Sequence, residues 1–290
     1  MSVELCVLAS GSAGNCTVVR TPAGVLLLDA GIGPRTAAHR LAGTGVSVTD
    51  VAGICLTHLD HDHFNRNWLN SILGRKLRVF CHENAVDDLI RAALGRAPAA
   101  ADVERLVAQV LTFDTDPFEA LPGLCLRPIS LAHDREGSHG FVLEGFGCRV
   151  GYATDLGRVP ATLLEDFADL DLLAIESNYD RQMQLDSPRP WFLKQRIMGG
   201  SGHLSNEQAF DAVRAVLNRC EARGTPLPAH IVLLHRSRDC NCPDRLRRLF
   251  GRDARIAPRL VLAEQFERSP WLRPDRAAVC GGEQLQLAWG

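Results

Sequence analysis

The sequence predicts an α+β fold in which two β-sheets pack face to face with helices on their outer sides. Three observations predict it. Short apolar, β-branched runs come in two successive blocks, and each block also carries stretches of helical period. No linker rich in Pro, Gly or Ser, no low-complexity tract and no repeat of solenoid period divides the 290 residues, so residues 1–290 read as one domain. Acids and imidazoles stand singly at the ends of apolar runs, as they would where several strands deliver side chains to one rim.

In chain order, residues 5–9, 17–21, 25–29 and 51–57 read as strands, with turns at Gly11-Ser12-Ala13-Gly14-Asn15 and Pro22-Ala23-Gly24 and a short helix over 34–41. Residues 66–74 are helical in character, 77–81 a strand, and 85–94 and 103–111 helices. The second block opens with a meander of strands at 124–132, 140–144 and 148–153, followed by a helix over 161–167 and a strand at 172–176. Ser205-Asn206-Glu207-Gln208 is a capping-box signature, and Ala209, Val213, Val216 and Leu217 recur at helical spacing as far as Arg223. A buried strand at 231–234 ends at His235, Pro243 opens a helix to Phe250, and 259–263 is the last strand. From about residue 265 the tail is weakly patterned.

Apolar residues make up 46% and charged residues 23%, which excludes a disordered or fibrous chain. A net charge of −2 makes the whole surface no magnet for nucleic acid, although Arg236, Arg238, Arg245, Arg247, Arg248 and Arg252 form one basic stretch. The N-terminal MSVELCVLASGSAGN has neither the basic start nor the apolar core of a signal peptide, and no apolar run approaches the roughly 18 residues that span a bilayer. A cytoplasmic protein with no membrane partner is the expectation. Its ten cysteines contain no C-x-x-C pair and read as buried free thiols.

The stretch LTHLDHDHF places three histidines and two aspartates between positions 58 and 63, directly after an apolar strand. His58, Asp60, Asp62 and His63 could converge on a metal from such a loop. Downstream, His133, Asp155 and His235 each follow an apolar run, which puts them on the same rim. Of the other histidines, His39 and His82 read as surface or satisfied residues and His139 and His230 as structural, with His139 the competitor to His133.

These residues resemble the metallo-β-lactamase superfamily, whose signature is H-x-H-x-D-H, and within it the WalJ/YycJ-like group. The shared motifs are SGSAGN (Ser10 to Asn15), LLDAG (Leu27 to Gly31), TDLG (Thr154 to Gly157), ESNYD (Glu176 to Asp180) and GHLSN (Gly202 to Asn206). The resemblance implies an αββα four-layer sandwich of two mixed sheets and two divalent metal ions, zinc or manganese. It assigns His58, Asp60 and His133 to one ion and Asp62, His63 and His235 to the other, with Asp155 bridging. The group acts as DNA exonuclease-like phosphodiesterases, so the implied partner is DNA and the implied reaction is hydrolysis by a hydroxide shared between the ions. The alternative on the same site is hydrolysis of a small-molecule ester, thioester or lactone.

Position 60 is Asp where the superfamily has His. Three carboxylates would then face two ions, one negative charge more than usual, and the harder oxygen ligand favours manganese over zinc. A local shift that brings His61 in as the missing imidazole is the competing reading, although alternation along an extended loop turns His61 out with Leu59. Asp62 and His203 are the candidate catalytic groups. For His203 the choice lies between contacting a phosphoryl or leaving oxygen and merely preceding the helix cap at Ser205. Gly199 to Gly202 could offer amides to an anion. Trp191 and Phe192 are expected in the core, with Arg189, Lys194 and Arg196 solvated around them.

Overall fold

The computed structural model describes residues 3–274. The first sheet comprises β1 (Glu4–Ala9), β2 (Cys16–Thr21), β3 (Gly24–Leu28), β4 (Val51–Cys55), β5 (Arg78–His82) and β6 (Val110–Phe113), side by side in that order. The first three strands pair antiparallel and the remainder parallel. Helices α1 (Pro34–Leu41), α2 (Leu69–Arg75), α3 (Val86–Leu94) and α4 (Ala100–Val107) connect them.

The second sheet is built from β7 (Phe118–Leu121), β8 (Leu124–Leu131), β9 (Ser138–Gly145), β10 (Cys148–Ala153), β11 (Leu172–Glu176), β12 (His230–Leu234) and β13 (Leu260–Leu262). Its first four strands form an antiparallel meander, and β10 through β13 run parallel. Its helices are α5 (Ala161–Asp166), α6 (Arg181–Asp186), α7 (Trp191–Met198), α8 (Asn206–Arg223) and α9 (Pro243–Phe250).

Alternation along each strand makes the layers. Leu26 and Leu28 face Phe141, Leu143, Tyr152 and Val232 in the cluster between the sheets. Leu27, one residue out of phase, packs with Leu41, Trp68, Ile72 and Leu89 of the first helical layer. Leu173, Ile175 and Ile231 meet Val213, Leu217 and Phe250 in the second. Both faces of both sheets are therefore covered, which is why their central strands read as unbroken apolar runs. The four-layer αββα sandwich expected from the sequence is what the chain forms.

Several elements differ from expectation. The strand expected over 51–57 ends at Cys55, freeing Leu56 and Thr57 for the loop. The helix expected over 103–111 ends at Val107, and Val110–Phe113 instead extends β5 as a parallel edge strand, where its β-branched and aromatic residues fit. Phe118–Leu121, Arg181–Asp186 and Trp191–Met198 were not expected as elements. Trp191 and Phe192, expected in the core, are 62% and 72% exposed because α7 has no buried residue at all. The early part of the tail is ordered against the first sheet: Leu272 and Leu5 exchange backbone hydrogen bonds, and Trp271 lies under the Arg20 guanidinium.

Candidate metal centre

The candidate residues gather where the loops leave the strands of both sheets. The β4 exit carries His58 to His63, the loop after β8 carries His133, and β10 and β12 lead directly into Asp155 and His235. Asp29, Asp155 and His235 all adopt positive φ (59°, 53° and 50°), the left-handed kink that swings a side chain off the end of a strand. Gly31 makes the loop approach possible. A Cβ there would stand 1.7 Å from the Asp62 carbonyl oxygen, so only glycine lets the 58–63 loop close onto β3.

Each imidazole is held through Nδ1, which leaves Nε2 for the centre. His63 Nδ1 lies 2.8 Å from Asp29, whose carboxylate also accepts from the Thr57 amide and hydroxyl. His58 Nδ1 is 3.0 Å from Thr57 Oγ1, His133 Nδ1 3.0 Å from the Gly202 carbonyl, and His235 Nδ1 2.9 Å from Glu176. This is the arrangement that fixes tautomer and ring orientation in metal-binding histidines.

Two atoms each about 2.1 Å from one ion can be no more than about 4.2 Å apart. Asp60 Oδ2 lies 3.8 Å from His58 Nε2 and 3.9 Å from His133 Nε2, too far for hydrogen bonds and within that reach. His58 Nε2 is buried without any hydrogen-bond partner, which an ion would supply. Asp62 Oδ2 stands 3.8 Å from His63 Nε2 and 3.3 Å from His235 Nε2. Asp155 reaches both groups: Oδ2 is 2.9 Å from His63 Nε2 and Oδ1 3.8 Å from His133 Nε2. The donor set fits divalent ions. His61 is turned outward, its side chain 89% exposed. His139 lies elsewhere, stacked on His82 at 4.4 Å, and burial pushes it down to about 4.

Electrostatics follow from packing acids and imidazoles together. Burial alone would depress His63, yet the charges of Asp29 and Asp155 and hydrogen bonds to both hold it well above its ordinary range. His235 shifts the same way, with burial outweighed by Asp155, Asp62 and Glu176. Burial also opposes the rise of His133, which the Asp60 and Asp155 carboxylates carry up to about 9. Burial and the neighbouring His63 push His58 down to about 3. In metal-stripped protein, His133 therefore adds stability that is complete below its ordinary value near 6.5 and lost as pH rises through about 9. His58 does the reverse, with stability lost as pH falls from about 6.5 towards 3. Thermal melts of stripped protein should peak between these flanks. Metal uptake at pH 7 should release protons, seen as a buffer-dependent binding enthalpy.

Two further residues, which the sequence places in the LLDAG and ESNYD motifs without a role, hold the candidate ligands. Asp29 supports His63, and Glu176, fully buried, accepts from His203 Nδ1 at 2.8 Å, from His235 Nδ1, and from the Leu156 and Leu204 amides. Both stand at the end of apolar strands, the signal that picked out Asp155. His203 sits between Glu176 and a cavity of about 360 Å3 that Asp60, Asp62, His133 and His235 also line. The Gly202 and His203 amides are consumed by the Gly199 and Ile197 carbonyls, so neither serves an anion.

Residues 25–231 match the Beta-lactamase superfamily domain, and the chain belongs to that family. It is a metal-dependent hydrolase of metallo-β-lactamase fold. Within the family it is WalJ/YycJ-like. It is 29% identical over 246 residues to exodeoxyribonuclease YycJ of Bacillus anthracis, covering 83% of this chain and 85% of that one. It is 26% identical to exodeoxyribonuclease WalJ of Streptococcus pneumoniae, covering 73% and 77%. The metallo-β-lactamase fold protein YhfI of Bacillus subtilis superposes with a TM-score of 0.62 at 14% identity, over 92% of this chain and 99% of that one. No helix among the described residues is long and apolar enough to cross a membrane.

Proposed function

We propose that residues 3–274 form one domain around a binuclear site, the remaining residues of the domain expected over 1–290 lying outside the described residues, and that the protein is a cytoplasmic phosphodiesterase, a DNA exonuclease. His58, Asp60 and His133 would hold one divalent ion and Asp62, His63 and His235 the other, with Asp155 between them. The observation that carries this reading is the Asp155 carboxylate, whose two oxygens reach histidines of both groups. The names of the curated relatives support DNA as the substrate. Bound there, divalent ions would activate water and offset the charge that develops on a phosphoryl group.

The chain's own residues do the rest. Glu176 accepts the Nδ1 proton of His203, and with a second proton on Nε2 the ring can donate to a phosphoryl oxygen or hand that proton to the leaving oxygen. Asp62 has a dual role, as ligand and as the carboxylate at the cavity wall that orients the attacking water. Arg196, anchored by the Asp134 carboxylate, lines the same cavity and a neighbouring one of about 710 Å3 that opens along Gly199 to Ser201, and it fits a substrate phosphate.

Asp60 supports a preference for manganese. Its carboxyl, with His133 beside it, is held down to about 2 and is ionised at any working pH. Asp60→His restores an imidazole and should lower the ratio of manganese-supported to zinc-supported turnover by roughly tenfold or more. An unchanged ratio removes the argument from ligand hardness. The reaction class is tested by offering metal-defined protein end-labelled single-stranded and duplex DNA beside a chromogenic phosphodiester and a thioester. Release of mononucleotides is the expected result; hydrolysis of the thioester alone would assign the site to small molecules.

A further inference from the structure

The two imidazoles that stack apart from the metal centre, His82 and His139, wall a second cavity of about 320 Å3. It adjoins the cavity of about 710 Å3 beside Asp60 and His133, and His58, Leu59, Glu136 and Gly137 line both. Its volume lies at the lower end of the range for small-ligand sites, enough for one ring system and too little for a run of nucleotides. Its chemistry also differs from that of the metal site. Leu56, Leu59, Cys81 and Ala85 give it an apolar lining, and no lysine or arginine lines it among the described residues, so a phosphate would find no cation there.

The polar groups at its edge are chiefly acceptors. Burial keeps His139 neutral, so one of its ring nitrogens carries no proton. Glu136 has no ion pair among the described residues, and Asp88, although Arg91 holds its Oδ1, keeps a second oxygen. Apolar walls that end in acceptors match a flat, uncharged heterocycle with N–H donors on its rim. We infer that the cavity receives the base of the terminal nucleotide while the phosphodiester beside it lies at the metal centre. This rests on the nuclease reading and deepens it. Adenine, guanine and cytosine each carry an exocyclic amino group and thymine carries none, so thymine is the base least favoured there. Only the last nucleotide leaves its partner, and the rest of a duplex stays paired.

The test uses the full-length, metal-loaded protein. Calorimetry compares deoxyadenosine monophosphate, as its 3′ and its 5′ isomer, with the matching deoxyribose phosphates, which carry the same charge and no base. The base should tighten binding of the better isomer by roughly tenfold or more. Ala85→Trp fills the cavity from the loop after β5, which carries no candidate ligand, and should remove that advantage while leaving deoxyribose phosphate within about twofold. Glu136→Gln, at an exposed position, should cost the adenine nucleotide several-fold and the thymine nucleotide less than about twofold. On a blunt duplex, Ala85→Trp should lower kcat/KM roughly tenfold at an ordinary end and by less than about twofold at an end whose terminal residue is abasic. Metal content and melting temperature of each variant report whether it is folded.

Equal affinity for nucleotide and deoxyribose phosphate in the wild type overturns the proposal. So does a base advantage that survives in folded Ala85→Trp, and so does an adenine nucleotide that binds Glu136→Gln as tightly as wild type. Because the mononucleotides bind without being cut, the two readings fail separately. A base advantage lost in Ala85→Trp, with no cleavage of ordinary DNA, contradicts the nuclease and not the base site.

Discussion

Asp155→Asn is expected to weaken metal binding by roughly 150- to 5,000-fold. The figure follows from the about 3–5 kcal/mol lost when one partner of a buried charge cluster is removed. Asp155 is fully buried, and although burial alone would raise its carboxyl, the charges of His235 and His63 hold it well below the usual range. Asparagine keeps the shape but gives up the charge, and one of its two positions becomes a donor facing an imidazole. Both candidate ion positions lose a ligand at once, whereas any other single substitution in the set affects one. Metal content after dialysis against a calibrated chelator checks this. Retention of two ions per chain with unimpaired turnover would remove Asp155 from the centre.

Glu176→Gln is expected to lower kcat by roughly 10- to 100-fold, the usual effect of disturbing a group that orients metal ligands. It should also cost about 1–3 kcal/mol of stability. Glu176 Oε1 accepts from the Nδ1 atoms of His203 and His235, and Oε2 accepts from the Leu156 and Leu204 amides. Whichever oxygen becomes an NH2 meets two donors. If it turns to the imidazoles, they must carry their protons on Nε2, which takes the His235 lone pair away from Asp62 and the ion beside it. Steady-state kinetics combined with a thermal melt checks this, and His203→Ala should add little in the Glu176→Gln background because both act through the same ring. A kcat within twofold of wild type would reduce Glu176 to a structural acceptor.

Much of the candidate site was legible because strand ends are readable: an apolar run that stops at a lone acid or imidazole picked out Asp155 and His235, and the 58–63 loop declared itself by density. The same rule points to Asp29 and Glu176, but a carboxylate that ligates and one that holds a ligand by its Nδ1 look alike in one sequence. The difference is which face of the ring each meets, and only folding decides that. Peripheral elements were less legible. Val110–Phe113 continues the apolar period of the helix before it, so local pattern could not separate helix from edge strand. α7 had no period to read because it buries no face, and the size of Trp191 and Phe192 argued for a core that is not there.

Two ions are proposed to occupy one divided ligand set in which Asp60 takes the place of a histidine. Anomalous diffraction at the manganese edge from crystals grown with that metal tests it directly. Two peaks are expected, one bounded by His58, Asp60 and His133 and the other by Asp62, His63 and His235, with Asp155 touching both. A single peak, or His61 at bonding distance in place of Asp60, would contradict it.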